Sequence, residues 1–274
     1  FADVSQIPTF LISDLAKKSV SVVLSGDGGD EVFAGYTRYL WSYYYSKKIK
    51  IFPKLLRGLI SRKIIETRPE TISKIFSYLP TKFRPPQAAD RLKKLASILD
   101  IDNQSDIYRT LISQWEDPSS VLLSDIQKNP IDEYNFISTK SNLYNMQVLD
   151  LANYLHDDIL TKLDRASMNL SLEARVPLID HRVVESAMNL PDNMKIHKGK
   201  GKKILRNILS KYVPENLINR PKQGFTVPLG DWLRGPLIDW AEDMLSEEKI
   251  KREGYFNPEK IKLYWNDHKL GIAN

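Results

Sequence analysis

The sequence predicts an α/β protein that is mostly helical and carries one or two short strands. Residues 7–18 place apolar side chains at helical spacing, and residues 20–24 form a β-branched apolar run typical of a buried strand. A helix followed directly by such a strand is half of an α/β crossover. The remaining periodic segments are helical in pattern. We therefore expect helices packed around a small strand remnant.

Length and composition indicate one large globular unit. The chain has 274 residues, of which 42% are hydrophobic, and it contains no repeat, low-complexity tract or long linker. The absence of cysteine excludes disulfides, thiolate metal sites and a cysteine nucleophile within these residues. No segment approaches the roughly 20 apolar residues of a membrane span, and Phe1 opens without Met or a leader. We expect a cytoplasmic fragment of a longer protein.

The balance of charge is mildly basic. Lys and Arg number 40 against 34 Asp and Glu, which gives a net charge of +6. Basic residues cluster at 47–63 and at 195–203, yet neither cluster carries a recognisable nucleic-acid-binding motif. We interpret the first cluster as a solvated helix face. The sequence therefore predicts neither a nucleic-acid partner nor a membrane partner, while a polyphosphate substrate fits the charge.

The elements that follow the first strand are all predicted helices. Residues 30–45 form an aromatic-rich helix, and residues 52–138 form an irregular helical insertion interrupted by prolines. Residues 143–155 and 158–170 form two periodic helices separated near His156 and Asp157. Further helices are predicted at 181–189, 202–212, 229–245 and 258–268.

Three glycines and three carboxylates stand together at the junction between the first strand and the helix after it. The stretch reads Ser25-Gly26-Asp27-Gly28-Gly29-Asp30-Glu31. Glycines let backbone amides approach a bound group closely, and a helix N-terminus suits phosphate. Carboxylates beside phosphate call for a cation between them, so Mg²⁺ bridging Asp30 to a polyphosphate is one interpretation. A tight turn followed by acidic residues in the first turn of a helix is the other.

Four segments resemble the synthetase domain of the glutamine-dependent asparagine synthetase family. They are LSGDGGDEVFAGYTRY at 24–39, YLHDDILTKLDRASMNLSLEARVPLID at 154–180, KKILR at 202–206 and RPKQGFTVPLGDW at 220–232. The resemblance implies an adenine-nucleotide α-hydrolase-like (ATP pyrophosphatase) fold. It also implies that residues 1–274 are the C-terminal portion of a single synthetase domain, without the ATP-loop strand and the N-terminal glutaminase domain.

The resemblance implies an ATP-dependent reaction that converts aspartate to asparagine. Such enzymes form a β-aspartyl-AMP intermediate, which ammonia from glutamine then attacks. The resemblance implies a glutaminase domain of the same chain as a partner, and a homodimer is one expected assembly. The family's Ser-Gly-Gly-x-Asp-Ser pyrophosphate loop does not occur here, so we expect this chain alone to be inactive. Two alternatives stay open: a relative that amidates another carboxylate, such as a surface-polysaccharide sugar, and a non-catalytic helical interaction module.

By the same resemblance, the first loop supplies most of the site. Ser25, Gly26 and Gly28 bind the nucleotide ATP. Asp27 is a catalytic residue that helps to position the acyl-adenylate, and Asp30 holds Mg²⁺ on pyrophosphate.

Lys202 resembles the family's active-site lysine, which stands two places before an Ile-Leu-Arg triplet. A flexible ammonium there can reach the α-phosphate and the attacked carbonyl oxygen. Lys203 is adjacent, so the assignment could shift by one residue, and a solvated surface lysine is the plain alternative. The preceding loop, residues 198–201, either closes over a polyphosphate or is an ordinary surface loop. Ala34 departs from the family's frequent glycine, which we expect to affect helix packing more than chemistry.

Several polar residues interrupt the apolar pattern of the two middle helices and the segment after them: Asp157, Asp158, Asp164, Arg165, Glu173 and Arg175. Half-buried carboxylates and guanidinium groups usually pair, so either structural pairing or a substrate-positioning network is expected. His156 beside two aspartates offers a weak metal hypothesis, because the other histidines are scattered.

Overall fold

The computed structural model describes residues 3–49, 51–78, 80, 88–113, 115, 118–124, 137, 139–218 and 227–271. The chain divides into two compact units, one of residues 1–46 and 133–227 and one of residues 47–132 and 228–274. None of the described helices is long and apolar enough to cross a membrane. That the whole chain belongs to a single synthetase domain stays a prediction.

The first unit holds both strands. Its elements begin with α1 (Gln6–Lys17), β1 (Val22–Leu24), α2 (Gly29–Val32) and α3 (Thr37–Ile49). They continue with α8 (Asn142–Leu149), a π-helical segment (Asp150–Leu160), α9 (Thr161–Met168), β2 (Glu173–Arg175), a 3₁₀ turn (Pro177–Ile179), α10 (His181–Met188), α11 (Asp192–Lys195), α12 (Lys203–Leu209) and α13 (Glu215–Ile218). The predicted predominance of helix with one or two short strands is confirmed.

The two strands form a parallel pair. Val22, Val23 and Leu24 stand opposite Glu173, Ala174 and Arg175. A parallel pair needs a long crossover, so the pairing brings together segments about 150 residues apart in sequence. The buried character predicted for β1 is wrong in this chain, because Val22 is 40% and Leu24 is 75% exposed.

The helix predicted over residues 30–45 is interrupted. α2 ends after one turn, Ala34 adopts the left-handed conformation with φ of 58°, and α3 begins at Thr37. The N–H of Gly35 donates to the carbonyl of Asp30 at 2.8 Å, as in the Schellman ending of a helix. The left-handed residue of that ending is most often glycine, and this chain has Ala34 there.

The break predicted near His156 and Asp157 is also wrong. Helical structure runs without interruption from Asn142 to Met168, and its central part is the π-helical segment. His156 and Asp157 lie on the outer face, with side chains 78% and 71% exposed. Polar residues that face solvent do not end a helix. His156 and Asp157 therefore belong to the solvent-exposed face of a continuous helix.

A side chain of α8 holds α2 in place. The Gln147 amide donates to the carbonyls of Glu31 at 2.6 Å and Val32 at 2.8 Å. Its oxygen accepts from the ammonium of Lys195 at 2.9 Å. Gln147 is 0% and Lys195 is 1% exposed, and desolvation lowers the pKa of Lys195 to about 8. The end of α2 is therefore satisfied by a buried polar chain instead of by solvent.

A second buried network lies at the start of the π-helical segment. Asp150 is 0% exposed, and its carboxylate accepts from Nε of Arg38 at 3.1 Å and from the Tyr39 hydroxyl. A second guanidinium nitrogen of Arg38 lies 2.9 Å from Asp150. The Arg38 guanidinium stacks over the Tyr36 ring at 4.0 Å. Although burial opposes the charge on Arg38, Asp150 holds the pKa of Arg38 above its ordinary value.

The second unit is helical in its described part. Its elements are α4 (Lys54–Glu66), α5 (Pro69–Ser77), α6 (Ala88–Ala96), α7 (Gln104–Ile112), a 3₁₀ turn (Pro118–Ser120), α14 (Leu229–Arg234), α15 (Ile238–Met244), α16 (Glu247–Glu253) and α17 (Pro258–Lys269). The single helix predicted over residues 229–245 is two helices, because Gly235 leaves the helical conformation with ψ of −109°.

We predict that Asp150→Ala lowers the free energy of unfolding by about 3–5 kcal/mol, because it leaves the buried Arg38 guanidinium without its carboxylate. Urea titration of the chain measures this change. Asp243→Ala is the matched control, since Asp243 pairs with Lys249 at 2.9 Å but is 72% exposed. The control should lose no more than about 1 kcal/mol. Equal losses in the two variants would contradict a structural role for the buried pair.

Candidate functional site

The glycine-rich loop begins where β1 ends. The N–H of Ser25 donates to the carbonyl of Arg175 at 2.8 Å, which extends the strand pairing by one residue. The chain then turns through Gly26 and Asp27, and Gly28 caps α2 with φ of 76°. The sheet thus fixes where the loop starts, and a left-handed residue fixes where the helix starts.

Three of the predicted site residues share one cavity. Ser25, Gly26 and Asp27 line a space of about 400 Å³, together with residues of α1, α9 and the two strands. The Ser25 hydroxyl donates to the Asp27 carboxylate, and the N–H of Asp27 donates back to the Ser25 oxygen at 3.3 Å. The cavity therefore combines polar loop groups with an apolar wall, as small-molecule sites commonly do.

A lysine that the sequence analysis did not single out also lines this cavity. Lys162 is 8% exposed, and its ammonium donates to Asp3 at 2.7 Å and to Ser5 at 2.8 Å. Burial opposes ionisation of Asp3, but the bonds from Lys162 and Ser5 outweigh it and lower the pKa of Asp3. The sequence feature that could have identified Lys162 is the position of a lysine on the apolar face of a periodic helix.

Backbone conformation and packing both require glycine at position 28. A Cβ on this residue would lie 2.2 Å from Cγ2 of Ile179, and φ is positive. Gly28 is also absent from the cavity lined by Ser25, Gly26 and Asp27. Both constraints require glycine for the turn and its packing, so contact with a nucleotide is not needed to explain it. Its assignment to nucleotide binding stays a prediction.

The structure brings the predicted metal residue and the predicted catalytic lysine into contact. Nζ of Lys202 lies 3.1 Å from Oδ1 of Asp30, and the side chains are 31% and 25% exposed. Lys202 adopts the left-handed conformation with φ of 57°, and its N–H donates to the carbonyl of Phe33 at 2.9 Å. Residues 172 apart in sequence thus form one ion pair.

The neighbouring lysines point elsewhere. Lys203 is the first residue of α12, and its ammonium donates to the carbonyl of Asn193 at 3.0 Å. Lys195 is buried against Gln147. The ammonium of Lys202, in contrast, forms the ion pair with Asp30. This geometry favours the assignment to Lys202 over the shift to Lys203.

Because Gly35 has no side chain, it leaves room for the ion pair between Lys202 and Asp30. A Cβ on Gly35 would lie 1.9 Å from Oδ1 of Asp30 and 2.5 Å from Cε of Lys202. Contacts under about 3 Å force atoms to move. The glycine that ends α2 is therefore also the residue that lets Lys202 reach Asp30.

Behind the loop lies Glu31, a carboxylate whose burial the sequence did not indicate. Glu31 is 1% exposed and accepts from the Tyr36 hydroxyl at 2.5 Å. Desolvation raises the pKa of Glu31, and desolvation together with Glu31 raises the pKa of Tyr36. The pair anchors the turn between α2 and α3 from within the core.

The polar residues of the middle helices do not form one network. Asp157 bonds to His156 at 2.6 Å, and Arg175 bonds to Glu173 at 2.7 Å, with all four side chains more than half exposed. Asp164 and Arg165 are exposed as well. Burial raises the pKa of Asp158. Local pairing at the surface is what the structure shows, and no group of three or more His, Cys, Asp or Glu suits a metal within the described residues.

Asp30 suits a Mg²⁺ ion that arrives with a polyphosphate. Mg²⁺ takes one or two protein carboxylates and completes its coordination with water and phosphate oxygens. The Asp30 carboxylate already accepts a cationic partner, is partly open to solvent and follows a loop with close backbone. One partly exposed carboxylate is enough for such a site, because the phosphate oxygens supply the remaining negative charge.

The last of the four resembling segments, residues 220–232, is described only from residue 227. The contribution of residues 220–226 lies outside the described residues.

Comparisons with known proteins agree with the motifs. A family model described as asparagine synthase matches residues 1–274. Asparagine synthetase [glutamine-hydrolyzing] 1 of Bacillus subtilis (strain 168) is 30% identical over 269 residues, which cover 97% of this chain and 40% of the relative. Asparagine synthetase [glutamine-hydrolyzing] 3 of the same strain is 38% identical over 85 residues, 28% of this chain and 14% of the relative. Amidase chyE of Penicillium rubens is 22% identical over 261 residues, 87% of this chain and 37% of the relative. The chain thus spans less than half the length of these relatives.

We predict that Gly201→Ala destabilises the first unit by about 1–3 kcal/mol, because the new Cβ would lie 1.9 Å from the backbone carbonyl oxygen of Ala34. Urea titration gives the free energy of unfolding. Gly58→Ala is the control, since its Cβ meets nothing nearer than Asp100 at 3.9 Å. Gly58 lies within α4, so alanine there should stabilise by up to about 1 kcal/mol. Two neutral variants would show that the loop yields without cost.

Proposed function

This chain belongs to the asparagine synthase family, and we propose that the protein carrying it converts aspartate to asparagine at the expense of ATP. The nitrogen is ammonia released from glutamine by a glutaminase domain of the same protein. The chain itself supplies part of an adenine-nucleotide α-hydrolase-like domain in the cytoplasm. We further propose a β-aspartyl-AMP intermediate.

The observation that carries this proposal is the contact between Asp30 and Lys202, at 3.1 Å. A carboxylate for a phosphate-bound cation and a mobile ammonium stand together at the start of α2. The loop just before them lines a cavity through Ser25, Gly26 and Asp27. A reaction that moves an adenylyl group needs both a nucleotide pocket and positive charge near the transferred phosphorus.

In the first step, an oxygen of the aspartate side-chain carboxylate attacks the α-phosphorus of ATP. A carboxyl oxygen to phosphorus bond forms, the bond from that phosphorus to the bridging oxygen breaks, and pyrophosphate leaves. Lys202 stabilises the negative charge on the α-phosphoryl oxygens. Ser25 and Gly26 hold the nucleotide, and Asp27 orients the acyl group.

In the second step, ammonia attacks the acyl carbon. A carbon–nitrogen bond forms, the carbon–oxygen bond to AMP breaks, and the nitrogen gives up one proton to yield the amide. In this proposal the Lys202 ammonium donates to the oxygen that becomes negative in the tetrahedral state. The same lysine thus serves both steps, because charge develops on oxygen in each.

Asp30 is the residue that would hold Mg²⁺. When bound, Mg²⁺ supplies positive charge on the pyrophosphate oxygens and so makes pyrophosphate a better leaving group. Lys202, whose ammonium pairs with Asp30 in this structure, contacts the α-phosphoryl oxygens in the proposed reaction. The exchange of partners is open to Lys202 because its side chain is long and flexible.

We predict that the full-length protein, given aspartate, ATP, Mg²⁺ and glutamine, forms asparagine and releases AMP and pyrophosphate in equal amounts. The proposed adenylation splits ATP between the α- and β-phosphorus, so no other nucleotide product is expected. Chromatography of the nucleotides and amino acids measures all three products.

Release of ADP and phosphate would overturn the adenylate. Amidation of a different carboxylate, with aspartate unused, would leave the adenylate in place but overturn the proposed substrate.

We predict that Lys202→Ala in the full-length protein lowers kcat at least about 100-fold with little change in KM, because the lysine acts on charge that appears in the transition state. Lys203→Ala is the matched control: it removes the same charge one residue away, from a side chain bonded to Asn193. The control should keep kcat within about threefold. Steady-state kinetics with varied ATP separates the two constants.

A raised KM for ATP at constant kcat would show that Lys202 only docks the triphosphate. Loss of turnover in Lys203→Ala with full activity in Lys202→Ala would move the assignment by one residue.

A further inference from the structure

The backbone of Lys202 adopts a conformation that residues with a Cβ disfavour. Its φ is 57°, in the left-handed region. Lys202 is also the N-cap residue of α12, and its side chain makes no capping hydrogen bond there. A left-handed conformation in a residue other than glycine persists only where the surrounding contacts impose it. Those contacts therefore decide where the Lys202 side chain points.

A tight turn precedes Lys202. His197 and Lys200 exchange two backbone hydrogen bonds, at 2.9 and 3.0 Å, and the two residues between them, Lys198 and Gly199, both have positive φ. Two left-handed central residues are typical of the type I′ turn of a β-hairpin. The N–H of Gly199, at the tip of the turn, donates to the hydroxyl of Tyr44 on α3 at 3.1 Å. The tip of the turn is thus bonded to α3.

Gly201 joins this turn to Lys202 and packs on the backbone that follows α2. A Cβ on Gly201 would lie 1.9 Å from the carbonyl oxygen of Ala34. The N–H of Lys202 donates to the carbonyl of Phe33 at 2.9 Å. Gly201 and Lys202 therefore lie directly against the end of the helix that carries Asp30.

Arg206 bonds to the carbonyl groups on both sides of Lys202. Its Nε donates to the carbonyl of Gly201 at 3.1 Å, and its N–H donates to the carbonyl of Lys202 at 2.9 Å. The first of these bonds comes from a charged donor, and such bonds are stronger than neutral ones. The peptide unit between Gly201 and Lys202 is thus bonded at its N–H, to Phe33, and at its carbonyl, to Arg206.

The orientation of this peptide unit determines where the Lys202 side chain begins. With the peptide unit held, a change of φ at Lys202 rotates its Cβ about the N–Cα bond. At the left-handed value, the ammonium lies 3.1 Å from Oδ1 of Asp30. A rotation to negative φ would direct the side chain elsewhere. The bonds that hold the peptide unit therefore support the ion pair.

We propose that Arg206 is a positioning residue for Lys202, and that Tyr44 assists it by holding the tip of the turn. By bonding the carbonyl of Gly201, Arg206 keeps Lys202 in the conformation that places its ammonium on Asp30. The catalytic consequence rests on the proposed function, in which Lys202 stabilises charge in the transition state. The placement of the Lys202 ammonium does not depend on that function.

The test compares two variants of the full-length protein that differ in the donor to Gly201. In Arg206→Gln, the amide nitrogen stands as many bonds from the backbone as Nε does, so a neutral donor remains. Arg206→Met has a similar length and no donor. Arg206→Met should lower kcat at least about tenfold with KM for ATP within about twofold, whereas Arg206→Gln should keep kcat within about threefold. Steady-state kinetics with varied ATP measures both constants.

A second readout needs no turnover. Brief acetylation with acetic anhydride, followed by mass spectrometry, gives the labelling of Lys202 relative to the exposed Lys211 of the same molecule. A side chain that leaves Asp30 is more open to the reagent. Arg206→Met should therefore raise this ratio at least about threefold, as Asp30→Asn should, because each removes a hydrogen bond that holds the ammonium in place. Arg206→Gln should leave the ratio near that of the wild type.

Equal losses of kcat in Arg206→Met and Arg206→Gln would overturn the proposal, because a purely electrostatic or structural role is lost in both variants. An unchanged labelling ratio in Arg206→Met would also overturn it. A wild-type protein that forms no asparagine would contradict the proposed function alone, and the labelling ratio would then decide the positioning role.

If Arg206→Met does not fold by circular dichroism, Tyr44→Phe carries the test. It removes only the hydroxyl that accepts from Gly199, and it should raise the labelling ratio at least about twofold. Tyr43→Phe is the matched control, since Tyr43 is the neighbouring residue and is exposed, and its ratio should equal that of the wild type. Equal ratios in Tyr44→Phe and the wild type would contradict the proposal.

Discussion

The amide of Gln147, bonded to the last two carbonyls of α2, is the constraint on which the site depends. A helix of four residues makes too few hydrogen bonds to persist alone, since helix nucleation is unfavourable. Gln147 supplies donors from the neighbouring α8, and Lys195 fixes the amide from the other side. Because all of these groups are buried, the loss of one bond would strand another polar group.

The reactive groups are arranged around this held turn. Asp30 stands on α2, and the glycine-rich loop leads into it from β1. Lys202, which is distant from α2 in the sequence, contacts it in two ways. Its N–H donates to the carbonyl of Phe33, and its ammonium forms an ion pair with Asp30. The buried pair of Glu31 and Tyr36 secures the other side of the turn. Hydrogen bonds thus hold the backbone of α2 and the turn after it, while Lys202 reaches Asp30 through a long side chain.

Buried polar side chains accompany a different arrangement in the second unit. In the first unit buried polar side chains support a site. In the second unit Arg57 of α4 is buried, while the leucines of the same helix are exposed. An arginine can be buried in this way because its guanidinium donates to two carbonyls and a carboxylate at once. The exposed leucines of α4 and the exposed residues of β1 therefore have different origins. The residues of β1 are exposed because their sheet has two strands.

By itself the sequence determined the local features of this protein. Helical periodicity placed α1, α10 and α17 within one or two residues, and the glycine-rich motif placed a turn between strand and helix. The motifs also indicated the family, because they depend on residue identity and spacing alone. Tertiary structure decided which way each helix faces and which distant residues meet. Packing brings together residues that are far apart in sequence, such as Asp30 and Lys202 or Gln147 and Lys195. Hydrophobic periodicity does not predict such contacts. Tertiary structure likewise decided that Leu55 and Leu59 of α4 are exposed while Arg57 of the same helix is buried and hydrogen-bonded to other segments.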